Sequence, residues 1–184
     1  MPFKQSLIPF KDRKLCTMVV GHWTKERRKI LKFFDKQLPD KLEFYGKLPP
    51  KLRHPDMYKG KIQGSHFGEE KISTLARYRF CICFENTTGY QGYITEKIFC
   101  CFSAGCVPIY WGASNIENYI PKACFIDYRD FKNDKELYDF IANMTEKRYQ
   151  EYIEAIKKYL ESDRAKLFSP EFFEDLFYKA LTSK

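Results

Sequence analysis

YRFCICFENTTGYQGYITEKI, residues 78–98, decides the fold. Its opening apolar run reads as a buried strand over 79–84. A polar loop carrying Gly89 and Gly92 follows, and then Thr95, a residue suited to cap a helix. Glu96 and Lys97 would be the first two helical residues. A strand, a loop at its carboxyl end and a helix amino terminus form the usual ligand-facing corner of an open α/β sheet. Lys97 there meets the positive end of the helix dipole, which is mildly unfavourable, and an anion above it would reverse that sign. The pattern points to a bound phosphate.

Outward from this segment the chain alternates strands and helices. Upstream, 14–20 (KLCTMVV) reads as a short buried strand ending at Gly21. Thr24 can cap a helix to about residue 38, with Leu31, Phe34 and Leu38 at helical spacing and Pro39 as its stop. Residues 41–45 form a second strand closed by Gly46. Prolines and glycines then break every period until a short helix over 69–76. Downstream, 96–103 is helical, with Gly105 suited to its C′ position. Strands follow at 107–111 and 124–128, then helices at 134–144 and 146–162, and a last helix opens at Ser169 and Pro170. The alternation predicts a parallel, doubly wound α/β sheet with helices on both faces. Residues 1–131 would form this Rossmann-like unit, and 132–184 a helical tail on the same domain.

The 184 residues suffice for one domain with a real core, and 17% aromatic content argues against disorder. Lys+Arg total 32 against 24 Asp+Glu, for a net charge of +8, which suits an anionic partner or simply a lysine-rich surface. The seven cysteines sit mostly in apolar surroundings without zinc spacing, so they read as reduced core residues. Neither a signal peptide nor a span of about 20 apolar residues is visible.

Four features converge on a diphosphate-bearing ligand. Lys97 stands at a helix amino terminus. Arg27 and Arg28 stand in the first turn of the helix after the first strand, whose βα corner opens at the same sheet edge. Gly89 and Gly92 let backbone approach a ligand closely. Glu96 is a carboxylate suited to vicinal hydroxyls, as in ribose recognition. Each is weak singly: a lysine or arginine on a helix is commonly solvated, and Tyr90 and Tyr93 commonly pack. No Walker pattern or GxGxxG is present.

FENTTGYQGYITEKI (84–98), followed by AGCVPIYWG (104–112) and CFIDYRDF (124–131), closely resembles the α1,3-fucosyltransferase family. The resemblance rests on Tyr78-Arg79-Phe80, Phe84-Glu85-Asn86-Thr87, Tyr93-Ile94-Thr95-Glu96-Lys97-Ile98, Val107-Pro108-Ile109-Tyr110-Trp111-Gly112, Phe125-Ile126 and Asp130-Phe131. It extends upstream with less force, where Arg28 lies seventeen residues before Tyr45-Gly46 and Arg27 is the fallback. The family has Ser-Asn where Gly21-His22 stands here, and Gln91 is a loop insertion relative to some relatives.

The resemblance implies the donor-binding, C-terminal half of a two-domain GT-B glycosyltransferase. Arg28 and Lys97 would hold the diphosphate of GDP-fucose, Glu96 would hold ribose or sugar hydroxyls, and Asn86 and Tyr93 would line the pocket. Arg28, Lys97 and Glu96 would take part in catalysis. Fucose would pass, with inversion, to an N-acetylglucosamine or glucose hydroxyl of an oligosaccharide acceptor. No metal is required, a divalent ion being at most stimulatory, and no cofactor other than the donor is implied. Glu85 reads as structural or pocket-lining rather than as the general base. The acceptor half has no counterpart, residues 1–13 being too few, so an inactive GDP-sugar-binding module is the alternative.

Nucleic acid is not expected as a partner, because RNP-like aromatic words and a clustered basic stripe are missing. Residues 146–162 are basic and amphipathic, which leaves peripheral membrane contact open beside the favoured reading of a core-packing helix. The expected location is cytoplasmic, at most peripheral to the inner membrane, if the source is bacterial. It is the Golgi membrane, with an anchor further upstream, if the source is eukaryotic.

Overall fold

The structure is a computed structural model and describes residues 8–64 and 68–169, together with Phe172, Glu174 and Tyr178. The helix expected from Ser169 onward lies mostly outside the described residues. Five strands, β1 (Lys14–Val20), β2 (Leu42–Gly46), β3 (Tyr78–Phe84), β4 (Val107–Trp111) and β5 (Ile126–Asp127), form one sheet. Every pairing is parallel and the order is β2-β1-β3-β4-β5. The register sets Met18 beside Phe44 and Ile82, and Ile82 beside Ile109.

Parallel neighbours need crossovers, which as a rule are right-handed. The step from β1 to β2 through α1 (Lys25–Gln37) moves one way along the sheet. The steps to β3 through α2 (Glu69–Leu75) and to β4 through α3 (Glu96–Ser103) move the other way. The two directions place α1 on one face and α2 and α3 on the opposite one. β3 is accordingly buried on both faces, with Phe80, Ile82 and Phe84 pointing one way and Cys81 and Cys83 the other. The order reverses between β1 and β3, so a crevice opens past their carboxyl ends.

Helix boundaries follow local chemistry. Thr24 caps α1, its hydroxyl accepting from the Arg27 amide at 3.2 Å. Ile30, Leu31 and Phe34 are buried on one stripe of α1. Gly105 takes the left-handed C′ position after α3, with φ 60°. Asn133 and Thr145 cap α4 (Asp134–Ala142) and α5 (Glu146–Leu160) in the same way as Thr24. Leu137, Ile141, Tyr149, Ile153 and Ile156 of α4 and α5 join the same hydrophobic core as the sheet. The apolar face of the amphipathic stretch 146–162 is thus spent on core packing. No helix among the described residues is long and apolar enough to cross a membrane. All seven cysteines are buried, and none forms a disulfide.

Several boundaries differ from the sequence expectation: β2 is shifted by one residue, to Leu42–Gly46, and α4, expected to 144, ends at Ala142. Strand β5 has two residues rather than the five of 124–128, because 3₁₀ turns flank it at Lys122–Cys124 and Tyr128–Asp130. The helix expected through 162 stops at Leu160, and a separate turn, α6 (Asp163–Lys166), follows.

Asp127 ends β5. Its carboxylate accepts from the Arg129 amide at 2.9 Å, from Arg129 Nε at 2.8 Å and from Nη2 at 2.6 Å. That geometry is a charge-assisted Asx turn inside the FIDYRDF word. Burial pushes the Asp127 carboxyl up, but the Arg129 hydrogen bonds and charge outweigh it and hold the group below the usual carboxylate range. A carboxylate with a depressed folded pKa stabilises the fold above its unfolded value of about 3.9 and loses that contribution as pH falls through the folded value. Asp127→Asn should cost about 1–3 kcal/mol near neutral pH. It should also flatten the loss of stability below about pH 4, as measured by urea unfolding at stepped pH.

Candidate functional site

The crevice past β1 and β3 holds a cavity of about 360 Å³. Val19, Gly21, His22 and Arg27 line it from the β1 side, Phe84 and Asn86 from β3, and Tyr93, Thr95, Glu96 and Lys97 from the start of α3. Lys71 and Leu75 of α2 close the remaining wall. Asn86, Tyr93, Glu96 and Lys97 are therefore brought together as the sequence suggested.

The arginine pair divides. Arg27 is 2% exposed, and its guanidinium spans the switch point. Nη1 donates to the His22 carbonyl at 2.6 Å and to Asn86 Oδ1 at 2.9 Å, and Nη2 donates to the Phe84 carbonyl. Burial lowers its pKa from the usual arginine value, yet a guanidinium stays protonated in proteins. Arg28 is exposed instead, 5.9 Å from the Trp23 ring, and lines a different cavity with Leu31, Asp35 and Pro49. The helical period explains the division. Position 27 falls on the stripe of Ile30, Leu31 and Phe34, while 28 is turned about 100° away. That signal was available in the sequence, where family register alone favoured Arg28.

Lys97 is not a cation waiting for a ligand. Its Nζ lies 2.9 Å from Glu85 Oε2 and 2.8 Å from Thr95 Oγ1. The Glu85 side chain has no exposed surface. It accepts from the Thr95 amide at 2.8 Å and from the Thr95 hydroxyl at 2.8 and 3.0 Å. Thr95 occupies the N-cap position of α3, but its hydroxyl is committed to Glu85 and does not cap the helix. The first-turn amides of α3 are thus not taken by that side chain. An ammonium carries three N–H donors, so with two engaged Lys97 has one left for the cavity.

Glu85 is fixed from behind by Gly112, where a Cβ would come within 2.6 Å of the Glu85 Cγ. The loop between β3 and α3 is pinned by Asn115, whose Oδ1 accepts from the Gly92 amide at 2.8 Å. Gly89 and Gly92 both have positive φ, 91° and 70°, which side-chain-bearing residues rarely adopt. Glu96 faces the cavity and has Lys71 Nζ 4.0 Å from its Oε1. The sequence reading named His22 only as a departure from the family pattern and passed over Lys71 and the pairing of Glu85 with Lys97, because no local pattern links side chains that meet only in the folded chain.

No group of His, Cys, Asp and Glu suited to hold a metal ion occurs among the described residues. The site is instead a partly buried cationic recess beside a helix amino terminus, suited to an anion with adjacent hydroxyls.

Glu85 buried without Lys97 would be an uncompensated charge. Lys97→Met should destabilise the protein by about 3–5 kcal/mol. Adding Glu85→Gln should recover more than half of that loss, since the amide oxygen can still accept from Thr95. Urea unfolding of the four members of this double-mutant cycle checks it, and simple additivity would contradict the coupling.

The family model described as Glycosyltransferase family 10 (fucosyltransferase) C-term matches residues 9–172. An alpha-(1,3)-fucosyltransferase FucT of Helicobacter pylori is 43% identical over 74 residues, which are 40% of this chain and 15% of that protein. The 4-galactosyl-N-acetylglucosaminide 3-alpha-L-fucosyltransferase 9 of Mus musculus is 30% identical over 137 residues, 73% of this chain and 34% of its own length. A crystal structure of an alpha1,3-fucosyltransferase with GDP superposes with a TM-score of 0.58 at 26% identity, over 77% of this chain and 38% of that one. A further alpha1,3-fucosyltransferase structure shares the fold over 94% of this chain, with a TM-score of 0.59. The chain spans about a third of the mouse relative and less than half of these solved structures. With the family model covering nearly its whole length, the chain belongs to glycosyltransferase family 10, the fucosyltransferases.

Proposed function

We propose that this chain binds GDP-fucose and serves as the donor half of an α1,3-fucosyltransferase that transfers fucose with inversion to a glycan hydroxyl. One observation carries the reading. The cavity at the switch point gathers Arg27, Asn86, Tyr93, Glu96 and Lys97, most of them from the 84–98 word that resembles the family. The neighbouring structure solved with GDP, at 26% identity, supports the same choice of ligand.

In this reading the β-phosphate lies against Arg27, the third Lys97 donor and the first-turn amides of α3. These groups stabilise the charge that develops as GDP leaves, an effect worth on the order of 2.7–4 kcal/mol for a well-placed donor. Because they are held by Glu85, Thr95 and Phe84 before any ligand arrives, little reorganisation is needed. Glu96 takes ribose or sugar hydroxyls, and Asn86 and Tyr93 border the nucleotide-sugar. Arg27 takes the place that register alone gave to Arg28.

A base must deprotonate the acceptor hydroxyl as it attacks the anomeric carbon. Glu85 is closed off by Thr95 and Lys97, and Glu96 faces Lys71, so neither is assigned that task. The two carboxylates point to donor binding as the task of these residues, with acceptor and base supplied elsewhere in the enzyme. We assign residues 1–131 to the donor-binding unit and 132–184 to helices supporting it.

Calorimetry should show micromolar binding of GDP-fucose and a clear preference for GDP over ADP. Equal affinity for the two nucleotides would overturn the proposal. Arg27→Lys should weaken GDP binding by about tenfold or more, as expected for losing a charge-assisted contact. Arg28→Ala should leave it within about twofold, as for a side chain outside the cavity. The reverse ranking would restore the register-based assignment.

A further inference from the structure

We propose that Lys71, on α2, is a positioning residue for Glu96 and so sets the preference of the site for a ligand bearing vicinal ribose hydroxyls. The proposal rests on the reading of this cavity as a nucleoside-diphosphate site. Lys71 lies outside the sequence words that carried the resemblance, although within the residues the family model matches, and the crossover from β2 to β3 delivers it. Its side chain is only 11% exposed and its Nζ stands 4.0 Å from Glu96 Oε1. Both residues line the same cavity, and Lys71 also lines the adjoining one of about 650 Å³ with Val19, Gly21, Lys47, Tyr58 and Lys61.

A carboxylate in the first helical turn on a flexible stem samples several rotamers unless something holds it. A charge on one oxygen orients the group, and Oε2 can then accept from a hydroxyl pair in a fixed direction. Burial pushes the Lys71 pKa down, but opposing charge at Cys100, Cys101 and Glu96, each in its ionised form, outweighs that, and the net direction is upward. The spacing from Glu96 is longer than a direct hydrogen bond, so the ammonium acts by charge and leaves the carboxylate oxygens free to accept elsewhere.

The test uses the full chain, calorimetry and two probes, GDP and 2′,3′-dideoxy-GDP. The unmodified protein should prefer GDP by about tenfold, the effect of an added hydrogen bond to a charged group. Lys71→Met should erase that preference while leaving dideoxy-GDP affinity within about twofold, and Lys71→Arg should restore it. A Lys71→Met protein that weakens both probes equally, or neither, overturns the proposal. Should that variant unfold, Glu96→Gln carries the test, and an intact preference for GDP there also overturns it. Failure of the unmodified protein to bind GDP at all would instead refute the underlying nucleoside-diphosphate reading.

Discussion

A buried carboxylate holds this site together. Glu85 extends β3 by one residue, its amide donating to the Trp111 carbonyl at 2.8 Å. Its side chain then ties down the start of α3 ten residues later. Burying a carboxylate is costly unless every oxygen is paired, and here an amide, a hydroxyl and an ammonium do the pairing. The consequence is geometric. The long loop between β3 and α3 is anchored at both ends, which sets Lys97 and the first turn of α3 over the sheet edge. Gly112 belongs to the same unit, because any side chain there would displace Glu85.

The switch point has a second tie. Arg27 bridges the turn after β1 to the end of β3, across the gap where the strand order reverses. Two adjacent strands with diverging crossovers have no shared helix above that gap. A guanidinium with several donors in one plane can join them where a single hydrogen bond could not. Glu85 and Arg27 together leave a recess whose walls carry positive charge that is already oriented. Such preorganised charge favours an anionic ligand.

Much of the fold was legible locally. The bounds of β1 and α1, the start of α3 and the Gly105 terminus follow from apolar period, capping residues and glycine placement. These are properties of consecutive residues. The strand β5 was overextended because its limits depend on Asp127 meeting Arg129 and on flanking turns, not on β propensity. In the site, the 84–98 word pointed to Asn86, Tyr93, Glu96 and Lys97. The helical stripe of Leu31 and Phe34 would also have selected Arg27 over Arg28.

Hydrophobic period and motif words are properties of neighbouring residues, and they fix the class of fold, the family likeness and the segment that lines the cavity. Which charges neutralise one another is set in three dimensions. Lys97, which by sequence alone called for an external anion, has Glu85 as its partner twelve residues back. Lys71, silent in the sequence, stands near Glu96. Electrostatic pairing depends on distance and burial in space, and those are fixed only when the crossovers bring remote side chains into one recess of low dielectric.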